Sequence, residues 1–118
     1  MPRFLTMVRI DEASMEAAEF PEDFGDRMGR LLEEITKAGV MLDTAGLRPS
    51  SEATRITRSG GRLSYTDGPF TETREVVGGY SICQCKDKAE ALEWTRRFME
   101  IHPVEWEFTC EVRQISED

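Results

Sequence analysis

Residues 3–10 have the sequence RFLTMVRI, which is strand-like and apolar on both alternating faces. In an extended chain Phe4 and Val8 would lie on one face, and Leu5 and Met7 on the other. A strand with this pattern is expected to be buried from both sides. The fold must therefore supply a covering layer on each face of the sheet that contains this strand.

An amphipathic helix follows this strand. Pro21 suits the first turn of the helix, and Gly39 is expected to end it. Apolar residues recur at steps of three and four, as in a helix with one buried face, at Phe24, Met28, Leu31, Ile35 and Ala38. Between strand and helix, the segment DEASMEAAEF (residues 11–20) predicts an acidic connection with at most a short helical turn.

The middle of the chain predicts strands and a hairpin. The segment VMLDTA, residues 40–45, predicts a second strand, and YSICQC, residues 80–85, predicts another. Between them, ATRITR and RLSYTD flank Ser59-Gly60-Gly61. Two strand-like segments around a Gly-containing turn predict a β-hairpin.

The C-terminal part again predicts a helix and then a strand. Asp87 and Glu90 form a D-x-x-E helix start, and the helix is expected to run to about Met99. Strict alternation in VEWEFTCEVR predicts a closing strand over Val104–Arg113. The order β-α-β, hairpin, β-α-β is typical of the α+β, ferredoxin-like split βαβ plan, with an antiparallel sheet and both helices on one face. We expect a single domain over residues 1–118.

The two helices can cover only one face of that sheet, whereas residues 3–10 are apolar on both faces. A second copy of the chain, packed sheet against sheet about a two-fold axis, would cover the other. We therefore expect a homodimer.

Composition narrows the possible partners. The 118 residues carry 15 Lys and Arg against 23 Asp and Glu, which gives a net charge of −8. So acidic a surface repels nucleic acid and anionic membranes, and we expect neither as a partner. With no apolar run long enough to span a membrane and no signal segment, the chain is expected to be cytoplasmic. Its three cysteines, Cys83, Cys85 and Cys110, are expected to be reduced and to bind no metal.

A long polar loop, YTDGPFTETREVVGGY (residues 65–80), is a candidate site. Asp67 before Gly-Pro could hold the turn through its carboxylate, or it could take part in ligand binding or proton transfer. Phe70 is expected to anchor the loop in the core. Residues 71–75, TETRE, could rim a polar cavity or form a solvated face with an internal ion pair. Three neutral side chains in or next to these segments could hydrogen-bond a ligand: Thr71, Thr73 and Tyr80.

Two further side chains are candidates. Arg48 presents a planar fork of donors that suits an anionic ligand, but a surface salt bridge explains it as well. His102 is the only histidine, and it lies next to Pro103 where a helix is expected to end. It could act as an acid–base group or interact favourably with the negative end of the helix.

The segment TDGPFTETREVVGGY, residues 66–80, resembles the signature of the YCII-related family, in the branch named for its Asp-Gly-Pro-Phe motif. KAGVMLDTAGLRPSS, KDKAEALEW and CEVRQI are similar to further segments of that branch, so the resemblance covers nearly the whole chain. It implies a dimeric α/β barrel of ferredoxin-like protomers. Some relatives act on small molecules as lyases or dehydrochlorinases with a His and Asp pair. Relatives of this branch often have an acid and a histidine where this chain has Ala45 and Arg48.

Two classes of function remain open. The first is a small-molecule-binding or regulatory protein whose ligand, anionic or aromatic, contacts Arg48, Phe70, Thr71, Thr73 and Tyr80. The second is a small cofactor-free lyase, isomerase or cyclase in which Asp67 and His102 transfer protons. The presence of Ala45 and Arg48 favours binding. Gly78-Gly79 lacks the spacing of a nucleotide-binding fingerprint, and we expect no cofactor.

Overall fold

The computed structural model describes residues 1–16 and 19–117. Residues 17 and 18, part of the predicted acidic connection, lie outside the described residues. The elements in chain order are β1 (Arg3–Ile10), α1 (Glu12–Glu16), α2 (Phe24–Lys37), β2 (Met41–Gly46), a 3-10 turn (Ser50–Glu52), β3 (Thr54–Ser59), β4 (Arg62–Asp67), β5 (Val76–Gln84), α3 (Lys88–Glu100) and β6 (Thr109–Gln114).

Four strands form one antiparallel sheet in the order β2-β5-β1-β6, and β3 and β4 form a separate two-stranded sheet. Strand β1 is central and pairs with β5 on one side and β6 on the other. Helix α2 connects β1 to β2, and β5 lies between these two strands. Helix α3 connects β5 to β6, with β1 between them. This arrangement confirms the ferredoxin-like α+β plan.

The core lies between the helices and one face of the sheet. Phe4 of β1 is opposite Cys83 of β5, and Phe4 is only 2% exposed. Ile35 of α2 and Ala91 of α3 belong to the same buried cluster. The helices therefore cover the face that carries Phe4, as the pattern of residues 3–10 requires.

The opposite face of the sheet carries the other half of the apolar pattern. Leu5 pairs with Ile82 and Met7 pairs with Tyr80 across β1 and β5. These four side chains are half-buried, and none of them belongs to the core cluster. We call this surface the helix-free face.

Helix α2 ends and helix α3 begins where the sequence predicts, but Pro21 is not in the first turn of α2, which begins at Phe24 after a turn closed by the Phe24 N–H and the Pro21 carbonyl. Helix α2 ends before Gly39, whose φ of 73° lies in the left-handed region that glycine tolerates. At the start of α3 the Asp87 carboxylate accepts the Glu90 backbone N–H at 2.9 Å. The Glu90 carboxylate in turn accepts the Lys86 N–H at 2.8 Å, one residue before the partner found in a capping box.

The hairpin prediction is confirmed, and its turn is tight. Gly60 and Gly61 both have positive φ, 58° and 77°, as a two-residue turn that matches the strand twist requires. All twelve residues of β3 and β4 are exposed.

The predicted strand over Val104–Arg113 is wrong in its first half, because β6 begins only at Thr109. Thr109 pairs with Arg9, and β1 ends one residue later, so the segment before Thr109 has almost no strand left to pair with. Residues 104–108 instead form a turn and an irregular segment. Their alternating aromatic residues pack on His102, as described below.

None of the helices in the described ranges is both long and apolar enough to cross a membrane.

The position of Phe4 gives a stability prediction. Phe4→Ala should lower the free energy of unfolding by about 3–5 kcal/mol, since it removes a large buried side chain and leaves a cavity in a packed core. Leu92→Ala is the matched control, because Leu92 is 46% exposed on α3 and alanine favours helix. Urea denaturation measures both. Equal losses for the two variants would contradict the assignment of the core.

Candidate functional site

A cavity of about 800 Å³ lies where α3 ends and the chain crosses to β6. We call it the His102 cavity. Its wall includes the side chains of Asp11, Arg74, Glu75, His102, Trp106 and Phe108. They come from the end of β1, the loop before β5 and the segment before β6. The cavity thus collects side chains from three parts of the chain that are distant in sequence.

His102 is held by the last turn of α3. Its Nδ1 lies 2.9 Å from the carbonyl oxygen of Phe98, and its backbone N–H donates to Met99 at 3.2 Å. A carbonyl oxygen can only accept, so Nδ1 carries the hydrogen and Nε2 carries the lone pair. Burial lowers the pKa of His102, which keeps the ring neutral at pH 7.

Aromatic rings surround the imidazole. A turn in which the backbone N–H of Trp106 donates to the Pro103 carbonyl at 2.9 Å brings the indole back over His102. The two rings are stacked, with centroids 5.1 Å apart and planes 14° apart. The rings of Phe98 and Phe108 also pack on the imidazole, with centroid distances of 4.8 and 4.9 Å. These contacts explain both the burial of His102 and the path of the segment before β6.

Two residues that line this cavity each have one buried side-chain atom without a hydrogen-bond partner within the described part of the chain: Glu75 Oε2 and Trp106 Nε1. One can only accept while the carboxylate is ionised, and the other can only donate. Buried polar groups are nearly always paired, and leaving one unpaired costs about 1–3 kcal/mol. Such a pair on one cavity is typical of a site whose partner is a bound molecule or water.

The charge on the cavity wall is negative. Four carboxylates line it against two guanidinium groups, those of Arg74 and Arg96. Arg96 is already paired with Glu93 and with Glu100, and Arg74 Nε lies 3.8 Å from the Asp11 carboxylate. Both cations are thus neutralised by acids of the same chain. The wall therefore favours an uncharged or cationic molecule over an anion.

A family model described as the YCII-related domain matches residues 3–104. The chain belongs to the YCII-related family. A protein of Rhizobium meliloti (strain 1021), described as uncharacterized, is 31% identical over 97 residues, which cover 79% of this chain and 77% of that protein. Assignment to the Asp-Gly-Pro-Phe branch stays a prediction. The match ends at Val104, so Trp106 and Phe108 lie beyond it.

Asp67 lies at the base of the hairpin of this YCII-related domain. Its carboxylate accepts from Thr54 Oγ1 at 2.9 Å, and the next residue, Gly68, donates its N–H to the Ala53 carbonyl at 2.8 Å. A Cβ on Gly68 would meet the Ser50 carbonyl oxygen at 1.8 Å, so only glycine fits there. These contacts correspond to the structural alternative for Asp67. Asp67 is not among the residues that line the His102 cavity.

Phe70 and Thr73 surround one arginine next to the hairpin. Phe70 is buried, as expected for an anchor, and the guanidinium of Arg55 lies 3.8 Å from the centre of its ring. Arg55 also donates to Glu72 at 2.8 Å and to Thr73 Oγ1 at 3.3 Å. Thr71 is exposed. This part of the TETRE segment is solvated, but Glu72 pairs with Arg55 outside the segment rather than with Arg74 inside it. Arg74 and Glu75 rim a polar cavity.

Arg48 and Tyr80 lie away from the His102 cavity. Arg48 pairs with Glu52 at 2.9 Å through a side chain that is 83% exposed, which is the surface salt bridge considered above. The Tyr80 hydroxyl donates to the Asp43 carboxylate at 3.1 Å, and this hydrogen bond raises the pKa of Tyr80.

Of the predicted site residues, only His102 lines this cavity of the YCII-related domain. Sequence reasoning missed Trp106 because the alternation of its segment predicts a strand. It placed Glu75 only in a possible polar rim. One signal for Trp106 was available in the sequence. Pro103 follows the expected helix end at Met99 by four residues, and two aromatic residues come after it, which is compatible with a chain that folds back on the helix end.

The lowered pKa of His102 predicts how stability changes with pH. Between the folded and unfolded pKa values the unfolded chain binds more protons, so stability rises with pH in that window. It should therefore fall as the pH drops from about 7 to about 5.5, through the unfolded value near 6.5. His102→Gln should flatten this part of the profile, measured as the urea midpoint. An unchanged slope in the variant would contradict the buried neutral state.

Proposed function

We propose that this YCII-related protein binds a small, flat organic molecule, uncharged or cationic, in the His102 cavity. The observation that carries the proposal is a pair of unpartnered buried atoms, Glu75 Oε2 and Trp106 Nε1, in two residues that line one cavity. A ligand with one donor and one acceptor would satisfy both. Displacing water from such a site then yields affinity as well as orientation.

The aromatic cluster supports the shape of the ligand. Stacked and tilted contacts among His102, Trp106 and Phe108 offer π surfaces against which a planar ring packs well. Of the two ligand types expected from the sequence, aromatic and anionic, the negative wall favours the aromatic one. A ring that bears an amine, amide or hydroxyl donor fits the chemistry of Glu75 and Trp106.

The tautomer of His102 favours a second candidate function, proton transfer in a cofactor-free reaction. With Nδ1 committed to Phe98, the Nε2 lone pair is a base, and a neutral imidazole is its active form. The sequence paired His102 with Asp67; we propose Glu75 as the carboxylate partner because it lines the same cavity. Proton transfer differs from binding in one observable way: solvent deuterium would be incorporated into the bound molecule, and His102→Gln would abolish the incorporation.

We also propose that the protein forms a two-fold homodimer through the helix-free face. Leu5, Met7 and Ile82 lie on that face of the sheet and are only half-buried in one copy. Packing two such faces together would bury the second half of the β1 pattern.

The dimer proposal predicts a solution mass. Light scattering at micromolar concentration should give about twice the 13.5 kDa of one chain. Met7→Lys should shift the mass toward one chain, because it would bury a charge in the interface. Thr36→Lys, which adds the same charge at an exposed position of α2, is the control. A wild-type mass of one chain would sink this proposal.

Ligand binding is tested by a thermal-shift screen of aromatic heterocycles that bear neutral or cationic donors, since a bound ligand raises the melting temperature. For each hit, Glu75→Gln and Trp106→Phe should weaken binding by about tenfold or more, because each removes one charge-assisted or donor contact. Glu75→Gln keeps the size of the side chain, and Trp106→Phe keeps an aromatic ring. Glu105→Gln, an exposed neighbour outside the cavity wall, should bind as the wild type does. Hits that bind all three variants equally would refute the assignment of the site.

A further inference from the structure

The hairpin Thr54–Asp67, which we call the arm, projects from the rest of the protein. Strands β3 and β4 pair only with each other, and every residue in them is exposed. The radius of gyration is 16.4 Å, against about 13.5 Å for a compact domain of this length. The extents of 46 × 43 × 18 Å describe a flat, spread molecule. The arm thus lies outside the single core of the chain.

Contacts at the base hold the arm to the rest of the protein, whereas the side chains along its strands are exposed. At the base Gly68 donates to Ala53, Thr54 donates to Asp67, and Arg55 lies over Phe70 and pairs with Glu72. Beyond it, a two-stranded hairpin alone in water is marginally stable at best. The tip is nonetheless a regular ladder in which Arg58 pairs with Leu63 and Ser59 with Arg62.

One face of the arm is mostly apolar and also carries Arg58, which is opposite Leu63. Ile56 and Tyr65 are directly opposite each other in the ladder, and Leu63 lies on the same face. These three side chains are 59–67% exposed. Contiguous apolar side chains on a projecting element mark an interaction surface rather than ordinary exposure. The opposite face carries the hydroxyl pair of Thr57 and Ser64.

The charge of the arm is opposite to that of the rest of the chain. The arm contains Arg55, Arg58 and Arg62 against Asp67 alone, a net charge of +2. Since the whole chain has a net charge of −8, the remaining residues carry −10. An acidic body repels nucleic acid, so the arm's arginines are poorly placed for a phosphate backbone. Arg55 already pairs with Glu72, whereas Arg58 on the apolar face is complementary to the acidic body of another copy.

We propose that the arm of one chain docks, apolar face down, on the acidic body of a second copy. In a two-fold dimer each arm would make the same contact, so the interaction is counted twice. The apolar strip would then be covered, and Arg58 on the same face would meet carboxylates. This inference rests on the proposed homodimer, and it adds a second contact to the one between helix-free faces.

The test compares two matched pairs of cross-strand substitutions by sedimentation equilibrium. Ile56→Thr with Tyr65→Thr keeps strand-forming residues but removes the apolar strip. It should raise the dimer dissociation constant at least tenfold. Thr57→Ser with Ser64→Thr changes the opposite face and should leave the constant within twofold of the wild type. Circular dichroism checks that both variants keep the fold.

A cross-linking experiment gives an independent readout. The photo-reactive residue benzoylphenylalanine replaces Tyr65 in a mixture of ¹⁵N-labelled and unlabelled copies. Cross-links that join labelled to unlabelled peptides are expected. Suppose that the wild type is a dimer, that the arm variants have the same dissociation constant, and that no such cross-links form. This result would overturn the arm proposal and leave the sheet-face dimer standing. A wild-type monomer would overturn both.

Discussion

The structure depends on a sheet that its own chain covers on one face only. Strand β1 is central and apolar on both faces, but α2 and α3 pack on the side of Phe4 alone. This constraint fixes the ferredoxin-like arrangement, since each helix must connect two strands that have another strand between them. It also leaves Leu5, Met7 and Ile82 half-buried on the helix-free face. The assembly that we propose follows from this unequal cover.

The His102 cavity follows from the same geometry at the end of α3. The chain has to travel from the helix layer back to the sheet before β6 can begin beside β1. It does so through a turn at Pro103 that stacks Trp106 on His102. The imidazole is then half-buried and its tautomer is set by Phe98, and one polar atom each of Glu75 and Trp106 is buried in the residues that line the same cavity. A connection needed for the fold thus becomes the strongest candidate for a site.

The fold could be predicted from local signals because they agree with one another. The β1 pattern, the Gly39 helix end, the Gly60-Gly61 turn and the Asp87 cap each indicate one element, and all are confirmed. The structure of the segment before β6 could not be predicted in this way. The same alternation of aromatic and acidic residues is compatible with a strand and with a turn that packs on a helix end. What differs is whether β1 extends far enough to pair with it. The site was only partly predictable for the same reason: Glu75 and Trp106 meet through tertiary packing, while Asp67 satisfies a hydroxyl of its own hairpin.

The central claim is that His102 is a neutral base with a fixed tautomer in a polar cavity. Long-range ¹H–¹⁵N NMR on labelled protein tests it directly, because the chain has one histidine and its imidazole signals need no assignment. The account predicts hydrogen on Nδ1, a free lone pair on Nε2, and a midpoint of titration below the ordinary value near 6.5. Hydrogen on Nε2 at neutral pH, or a midpoint above that value, would contradict it.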